Sequence, residues 1–319
     1  ILDIGIPPEA IERAGIGTEL ATKETYQNIA QSLQRQKASH KGSHGHLLIL
    51  GGSPGKTGAA ILAARGALRT GAGLVSLCVP KSLNSIYETA LTEAITIPLP
   101  DDSGILSIAD WEIISQAAMD KQALVVGPGL GTDNRTAELV IRIYREVKCP
   151  VVFDADALNI LAKHREHMKS PAGARIFTPH PGELSRLLHK EVGEIQDNRI
   201  DAAMLGSNLF HHDDHETILV LKGAGTIIVG EDGLTFINTT GNPGMATGGM
   251  GDVLAGMIGA LVCQGLSPMD SAIAGVFLHG SAADILFDER GVGFTASEVA
   301  DMIPIAATNL SRKSAPTRQ

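Results

Sequence analysis

The 319-residue sequence has few aromatic side chains and no excess of basic residues. Aromatic residues make up 3% of the chain, so a surface that stacks bases on aromatic rings is not expected. The formal net charge is −9, which argues against nucleic acid or an anionic membrane as a partner. Any anionic ligand would therefore be held locally, by backbone amides and helix N-termini.

Cysteines and long apolar runs are also scarce. Cys78, Cys149 and Cys263 are far apart and lack the spacing of metal ligands, which indicates buried free thiols in a reducing cytoplasm. No run approaches the ~20 apolar residues that cross a membrane. The longest candidate, residues 253–263, is interrupted by two glycines, so we expect no membrane span.

One glycine is missing from the stretch ILGGSPGKTGAA, which otherwise ends like a phosphate-binding P-loop in Gly55-Lys56-Thr57. A P-loop places its first glycine five positions before the glycine of the Gly-Lys pair. Leu50 occupies that position here. We therefore expect this turn to have another role, and phosphate to be held elsewhere in the chain.

Glycine is abundant and separates a regular alternation of predicted strands and helices. Nearly continuous apolar runs such as HLLILG, GLVSLCVP and ALVVGPGLG are typical of strands that helices cover on both faces. Helical spacing is found over residues 57–70, 252–264 and 271–287. The run ETILVLKGAGTIIVGEDGLTFIN predicts three short antiparallel strands near one sheet edge. The sequence therefore predicts an α/β fold with a doubly wound, mostly parallel sheet.

The stretch GNPGMATGGMGDVLAG, residues 241–256, is the strongest local signal for chemistry. Its glycines lead into an apolar helix, whose unpaired N–H groups and dipole attract anions. Glycine also lets the backbone approach a ligand closely. Asp252 lies at the start of this helix, either as its N-cap or as a general base beside a phosphate. The density of glycine favours the base, so we predict phosphoryl transfer here.

Four further turns follow predicted strands, and three of them contain glycine or proline. Ligands of open α/β sheets lie beyond the carboxyl ends of strands, which favours binding over a simple tight turn for GPGLG. The two acidic residues of DADAL, Asp154 and Asp156, either bind Mg²⁺ or cap the next helix. TPHPGE either forms a surface turn or places His180 and Glu183 at the carboxyl edge of the sheet, beside the other motifs. In LKGAGT, Lys222 is either solvated or a phosphate contact.

Taken in order, these motifs resemble those of the ADP-dependent NAD(P)H-hydrate dehydratase family, a branch of the ribokinase-like superfamily. The resemblance extends from about residue 42 to residue 307. It implies a ribokinase-like domain over residues 41–319 and a homo-oligomer. The head DIGIPPEAI resembles the closing segment of an NAD(P)H-hydrate epimerase domain. Residues 1–40 are therefore expected to be the tail of that upstream domain plus a linker.

The resemblance implies the repair of hydrated nicotinamide nucleotides. The β-phosphate of ADP would phosphorylate the ring hydroxyl in the S epimer of NADHX or NADPHX, because hydroxide is a poor leaving group. Expulsion of phosphate would then give NADH or NADPH, with AMP and phosphate as the other products. The implied cofactor is Mg²⁺, with K⁺ as a second candidate cation, and the implied partners are these small molecules.

The resemblance also assigns roles to residues of this chain. Asp252 corresponds to the catalytic base. The glycines implied to stabilise the transferring phosphoryl group are Gly248, Gly249 and Gly251. The implied contacts to the hydrated dinucleotide are Ala59, Gly129, His180 and Asp252. The implied contacts to ADP or AMP are Lys222, Gly223, Ala224, Gly225, Thr226 and Gly251. Met250 departs from the family pattern, since many relatives have Thr or Ser there, so we expect backbone amides to provide most of the phosphate stabilisation.

Two other functions share part of this pattern. One is an ATP-dependent kinase of a vitamin precursor from the same superfamily, but such kinases more often have Asn after the Thr-Pro pair, where this chain has His180. The other is a non-catalytic nucleotide-binding module, which has no need of Asp252. TPHPGE and the head DIGIP favour the dehydratase.

Overall fold

A computed structural model of the chain describes residues 17–100 and 103–312, together with Pro7, Glu9 and Arg13. The head DIGIPPEAI lies almost entirely outside the described residues. The predicted domain boundary near residue 40 stays a prediction.

The described residues form one ten-stranded sheet. Its strands are β1 (Thr18–Ala21), β2 (His46–Leu50), β3 (Leu74–Pro80), β4 (Ile95–Leu99), β5 (Ala123–Val126), β6 (Val151–Phe153), β7 (Arg175–Phe177), β8 (Thr217–Leu221), β9 (Ile227–Val229) and β10 (Thr235–Asn238). Their order across the sheet is β1-β10-β9-β8-β7-β6-β5-β2-β3-β4. The strands from β2 to β8 pair in parallel, whereas β9 is antiparallel to both β8 and β10. This arrangement confirms the predicted mostly parallel sheet with antiparallel strands near one edge.

Helices cover both faces of this sheet. They are α1 (Lys23–Ala30), α2 (Thr57–Thr70), α3 (Asn84–Ala90), α4 (Trp111–Ala118), α5 (Asn134–Glu146), α6 (Asp156–Lys163), α7 (Pro181–Leu188), α8 (Val192–Asp197), α9 (Arg199–Phe210), α10 (Met250–Cys263), α11 (Pro268–Arg290) and α12 (Ala296–Ser311). Among the described residues, no helix has the length and apolar character needed to cross a membrane.

Two apolar cores lie on opposite faces of the sheet because successive strand side chains point to opposite sides. Leu47 and Ile49 of β2 pack with helices α1–α3 and α10–α12. Leu48 and Leu50 pack with helices α4–α9. Burial on both faces accounts for the nearly continuous apolar runs that predicted these strands.

The strand order reverses between β2 and β5, and the turns that follow these two strands meet there. The Gly52 amide donates to the carbonyl oxygen of Pro128 at 2.8 Å, and the Ser53 hydroxyl donates to that of Gly129 at 2.8 Å. A Cβ atom on Gly51 would lie 2.5 Å from the Pro128 oxygen, so this contact requires glycine. Gly51 of GGSPGK thus allows the two turns to pack closely at the point where doubly wound sheets bind ligands.

Helix α10 crosses α2 with backbone against backbone. A Cβ atom on Gly256 would overlap the carbonyl oxygen of Ala63, and one on Gly66 would lie 2.5 Å from that of Val253. The small residues therefore allow α10 to approach closely. The start of α10 then lies against Lys222 and Asp154, at the carboxyl ends of β8 and β6.

Candidate active site

The carboxyl ends of β6, β7 and β8 and the start of α10 surround a cavity of about 780 Å³. This volume suits a nucleotide-sized ligand. Residues of four predicted motifs line it, and its ionisable members from those motifs are Asp154, His180, Glu183, Lys222 and Asp252. The chain segment 238–246 and helix α11 complete its wall.

Lys222 is the central charge of the cavity. Its Nζ atom lies 2.6 Å from Asp154 Oδ1 and 3.8 Å from Glu183 Oε2. Asp154, only 1% exposed, also accepts a hydrogen bond from the Thr178 hydroxyl at 2.7 Å. Burial lowers the pKa of Lys222, but these two carboxylates outweigh burial and raise that pKa above its usual value. Lys222 is therefore a charged member of the site and not a solvated side chain.

Asp252 is the third residue of α10, whose N-cap is Gly249. The alternative that Asp252 is the N-cap is therefore wrong, because the helix begins at Met250, two residues earlier than predicted. Burial, together with the negative charge of Asp154, raises the pKa of Asp252 to about 7, although Lys222 opposes this rise. A carboxyl group with such a pKa is well matched to accept a proton near neutral pH.

The glycines before Asp252 shape the start of α10. Gly249 has a φ of 91°, and a Cβ atom on it would lie 2.5 Å from Leu62 Cδ1. A Cβ atom on Gly251 would lie 3.1 Å from Lys222 Nζ. The first amide groups of a helix have no intrahelical partner, so the start of α10, which adjoins Lys222, is a potential anion site. Met250 is buried and lines the cavity.

His180 begins α7 as its N-cap and is joined to Glu183 in a capping box. His180 Nδ1 accepts hydrogen bonds from the amides of Gly182 at 3.0 Å and Glu183 at 3.3 Å. The neutral imidazole therefore has its proton on Nε2, 3.4 Å from Glu183 Oε1. Burial and the charge of Lys222 lower the pKa of His180, and burial raises the pKa of Glu183 to about 7. TPHPGE is thus a helix start whose polar side chains line the cavity.

The two carboxylates of DADAL have different positions. Asp154 faces the cavity, whereas Asp156 Oδ2 accepts from the Gly131 amide at 2.9 Å and from Lys56 Nζ at 3.0 Å. The N-cap of α6 is Ala155, which makes no side-chain capping bond, so the capping alternative is not supported. Ala155 has a φ of 49°, a conformation that residues with a Cβ atom rarely adopt. Such strain is common at functional sites.

The predicted site residues do not all meet at the cavity: Gly248 and Gly249 come just before α10 and do not line it. His180, Asp252, Gly251 and residues 222–226 line the cavity. Ala59 and Gly129 do not line it; they adjoin each other at the turns after β2 and β5, where a Cβ atom on Gly129 would lie 3.0 Å from that of Ala59. Asp156, which accepts hydrogen bonds from Gly131 and Lys56 of these turns, lies two residues after Asp154 of the cavity, so this segment connects the two places.

Two features of the site were not predicted from the sequence. Asp154 and Lys222 form an ion pair across 68 residues of sequence, and no local pattern indicates it. His279 of α11 lines the cavity from within an apolar helix, where an isolated histidine has no motif around it. The one sequence signal for a role of His279 was its position among the apolar residues of a long predicted helix.

The acidic groups of the cavity fit a divalent cation. Asp154, Glu183 and Asp252 offer carboxylate oxygens, and Lys222 is the one Lys or Arg side chain among the described residues that line the cavity. Mg²⁺ prefers oxygen ligands and usually binds one or two carboxylates together with the phosphates of a substrate. The three carboxylates are not among the described groups whose ligand atoms all lie within 4.8 Å of one another. One or two of them, such as Asp154 and Glu183, would therefore hold the ion together with the phosphates of the nucleotide.

Comparison with known proteins points in the same direction as this geometry. Residues 47–305 match a family model described as NAD(P)H-hydrate dehydratase. The chain is 38% identical over 271 residues to the ADP-dependent (S)-NAD(P)H-hydrate dehydratase of Neisseria meningitidis, covering 83% of this chain and 86% of that protein. It also matches a crystal structure of the ADP/ATP-dependent NAD(P)H-hydrate dehydratase from Bacillus subtilis, co-crystallised with ATP and Mg²⁺, with a TM-score of 0.77 and 32% identity. That match covers 92% of this chain and 98% of the other.

Longer relatives combine two activities. The chain is 39% identical over 315 residues to the bifunctional NAD(P)H-hydrate repair enzyme of Moorella thermoacetica. This match covers 98% of the chain but 58% of the relative. The chain thus spans a little over half the length of that protein.

Proposed function

This chain belongs to the NAD(P)H-hydrate dehydratase family, and we propose that it catalyses the ADP-dependent dehydration of the S epimers of NADHX and NADPHX to NADH and NADPH. The observation that supports this most strongly is Asp252. Its carboxyl group has a pKa of about 7 and lines a cavity that it shares with Lys222 and the start of α10. A base, a cation and free amides are thus brought together where phosphoryl transfer needs them.

The proposed reaction has two stages. Asp252 accepts the proton of the ring hydroxyl, whose oxygen attacks the β-phosphorus of ADP, so that AMP leaves. Lys222 and the amides of Gly248, Gly249 and Gly251 stabilise the charge on the transferred phosphoryl group. In the second stage the C–O bond breaks and phosphate leaves with the electron pair. A proton is lost from the neighbouring ring carbon, which completes the double bond of NADH.

We propose that the nucleotide and the dinucleotide meet at Asp252 from opposite sides. Residues 222–226 and Gly251 hold ADP, and His180 with Ala59 and Gly129 holds the hydrated dinucleotide. Mg²⁺, held by the cavity carboxylates, would neutralise phosphate charge; K⁺ stays a prediction. We further propose that residues 1–40 include the end of an upstream epimerase domain, while β1 and α1 within this range belong to the sheet and core described above. We also propose that the protein forms a homo-oligomer.

The assay that tests this function follows absorbance in the reduced-nicotinamide band. Purified protein is mixed with hydrated NADH, Mg²⁺ and either ADP or ATP, and the nucleotide products are separated. Recovery of absorbance with ADP, together with formation of AMP, is expected. Recovery of absorbance with ATP alone would support the dehydratase reaction with ATP as the phosphoryl donor. No recovery with either nucleotide would remove the dehydratase and favour a vitamin-precursor kinase or a binding module.

The rate of dehydration is expected to rise with pH through a midpoint near 7. A general base must be deprotonated to act, and burial raises the pKa of Asp252 to about 7. The check is kcat/KM for hydrated NADH from pH 5 to pH 9. A rate that is already maximal at pH 5 would contradict the role of Asp252 as base.

The same pKa predicts the opposite trend for stability. Because the pKa of Asp252 is raised on folding, the unfolded chain releases this proton at a lower pH than the native chain. The contribution of Asp252 to the free energy of unfolding therefore falls between about pH 4 and pH 7. The measurement is the free energy of unfolding in urea, for the wild type and for Asp252→Asn, at several pH values in this interval. The difference between the two proteins isolates the contribution of Asp252, because the variant lacks the titrating group.

A further inference from the structure

His279 is a buried polar side chain in the cavity wall without a hydrogen-bonding partner. It is 5% exposed, and its Nε2 atom is fully buried and unpaired. No described residue forms a hydrogen bond with this Nε2 atom. Buried polar groups in native proteins are nearly always paired, and an unpaired one lowers stability. Since His279 lines the cavity, a small shift of its ring would bring this nitrogen to a bound molecule, which would provide the missing partner.

The backbone around His279 is held in place. The Thr240 hydroxyl donates to the carbonyl oxygen of Phe277 at 2.9 Å, which ties the chain after β10 to α11. A Cβ atom on Gly280 would overlap Thr240, so the two segments are in close contact. His279 is therefore presented to the cavity by a rigid helix rather than by a loop.

The surroundings of His279 suit a nucleoside. Leu254 and Val276 provide apolar wall, and Asn238 and Asn242 provide polar groups in the same cavity. A nucleoside combines an apolar base face with polar edges and hydroxyls, which matches such a wall. The charged end of the cavity, at Lys222 and the start of α10, is where the phosphates would lie.

His279 is a neutral group. Burial, with a smaller effect of the Lys222 charge, lowers its pKa to about 4. A neutral imidazole has one N–H donor and one acceptor nitrogen. It is therefore suited to the neutral donors and acceptors of a base or a ribose, and poorly suited to a phosphate, which favours a cation.

We propose that His279 is a nucleotide-recognition residue, whose ring hydrogen-bonds the nucleoside part of the adenine nucleotide in this cavity. The proposal rests on the proposed function for the identity of the nucleotide. The sequence motifs predict nucleotide contacts at residues 222–226 and Gly251. The proposal adds a contact from helix α11.

The test is AMP binding by calorimetry to the wild type and to His279→Phe, which keeps an aromatic ring and removes both nitrogens. The Kd for AMP is expected to rise about tenfold, as for the loss of one buried hydrogen bond. The Kd for NADPH, which probes the dinucleotide side, is expected to stay unchanged. His212→Phe makes the same change at His212, which contacts Tyr144 and Met168 and does not line the cavity, and should leave both constants unchanged.

An unchanged Kd for AMP in a folded His279→Phe protein would overturn the proposal, and so would a larger loss of NADPH affinity. His279→Leu, which also removes both nitrogens, serves if the Phe variant fails to fold. A ¹⁵N spectrum of histidine-labelled wild type provides a measurement without substitution: the His279 ring signals, assigned by their loss in His279→Gln, should shift when AMP is added. Signals that do not move at saturating AMP would equally overturn it.

These results separate the inference from the proposed function. A wild type that recovers NADH while His279→Phe binds AMP normally would refute the inference alone. A wild type that binds AMP through His279 without recovering NADH would refute the proposed function alone.

Discussion

Asp252→Ala is expected to lower the rate of NADH formation about a thousandfold or more while AMP binding stays nearly intact. The carboxylate is the proposed proton acceptor, whereas the anion site at the start of α10 is made of backbone amides that the substitution leaves in place. The measurement is kcat with hydrated NADH and ADP, paired with the Kd for AMP. Asp252→Asn, which has nearly the same shape, should behave in the same way.

Asp270→Asn is the matched control, since Asp270 occupies the corresponding third position of α11 and does not line the cavity. It should leave kcat unchanged. Loss of AMP binding in folded Asp252→Ala would make Asp252 a nucleotide contact rather than the base. Full turnover in that variant would exclude both roles.

Lys222→Met is expected to weaken nucleotide binding more than dinucleotide binding and to destabilise the fold. Lys222 Nζ is 2.6 Å from Asp154, and the substitution leaves that nearly inaccessible carboxylate with the Thr178 hydroxyl as its one side-chain partner among the described residues. Removing one partner of a buried ion pair costs about 3 kcal/mol or more. The loss of positive charge also removes the attraction for the phosphates of ADP. Urea unfolding and titrations with ADP and NADPH measure these effects.

A double variant separates the two roles of Lys222. Adding Asp154→Asn to Lys222→Met removes the unpaired charge, so stability should recover while ADP affinity stays low. If ADP affinity recovers together with stability, Lys222 acts only by holding Asp154. A greater loss of NADPH affinity than of ADP affinity would move Lys222 to the dinucleotide pocket.

The fold class could be predicted because its signals are local and repeated. Apolar runs and helical spacing identified the strands, and α2 has the bounds that its periodicity predicts, Thr57–Thr70. The ribokinase-like α/β class is confirmed by the sheet topology and by solved structures that share it. The strand β1 was not identified, because the four residues TELA have no apolar run and pair only with β10 at the sheet edge.

The site could be predicted where a motif follows a strand. His180, Lys222 and Asp252 each lie within a recognisable sequence motif. The parallel sheet, together with the packing of α10 across α2, brings these three motifs to one cavity. The start of α10 was misplaced by two residues, since a glycine run offers no side chain to mark the N-cap. His279 was missed, because its significance depends on what surrounds it in space.

The measurement that tests the central claim most directly follows the oxygen of the ring hydroxyl. Hydrated NADH carrying ¹⁸O in that hydroxyl is converted with ADP, and the phosphate and water are examined for the label. If the hydroxyl is phosphorylated and leaves with phosphate, the ¹⁸O appears in inorganic phosphate, in proportion to the NADH and AMP formed. If the ¹⁸O appears in water and the phosphate is unlabelled, the hydroxyl left without being phosphorylated, and the proposed mechanism is wrong.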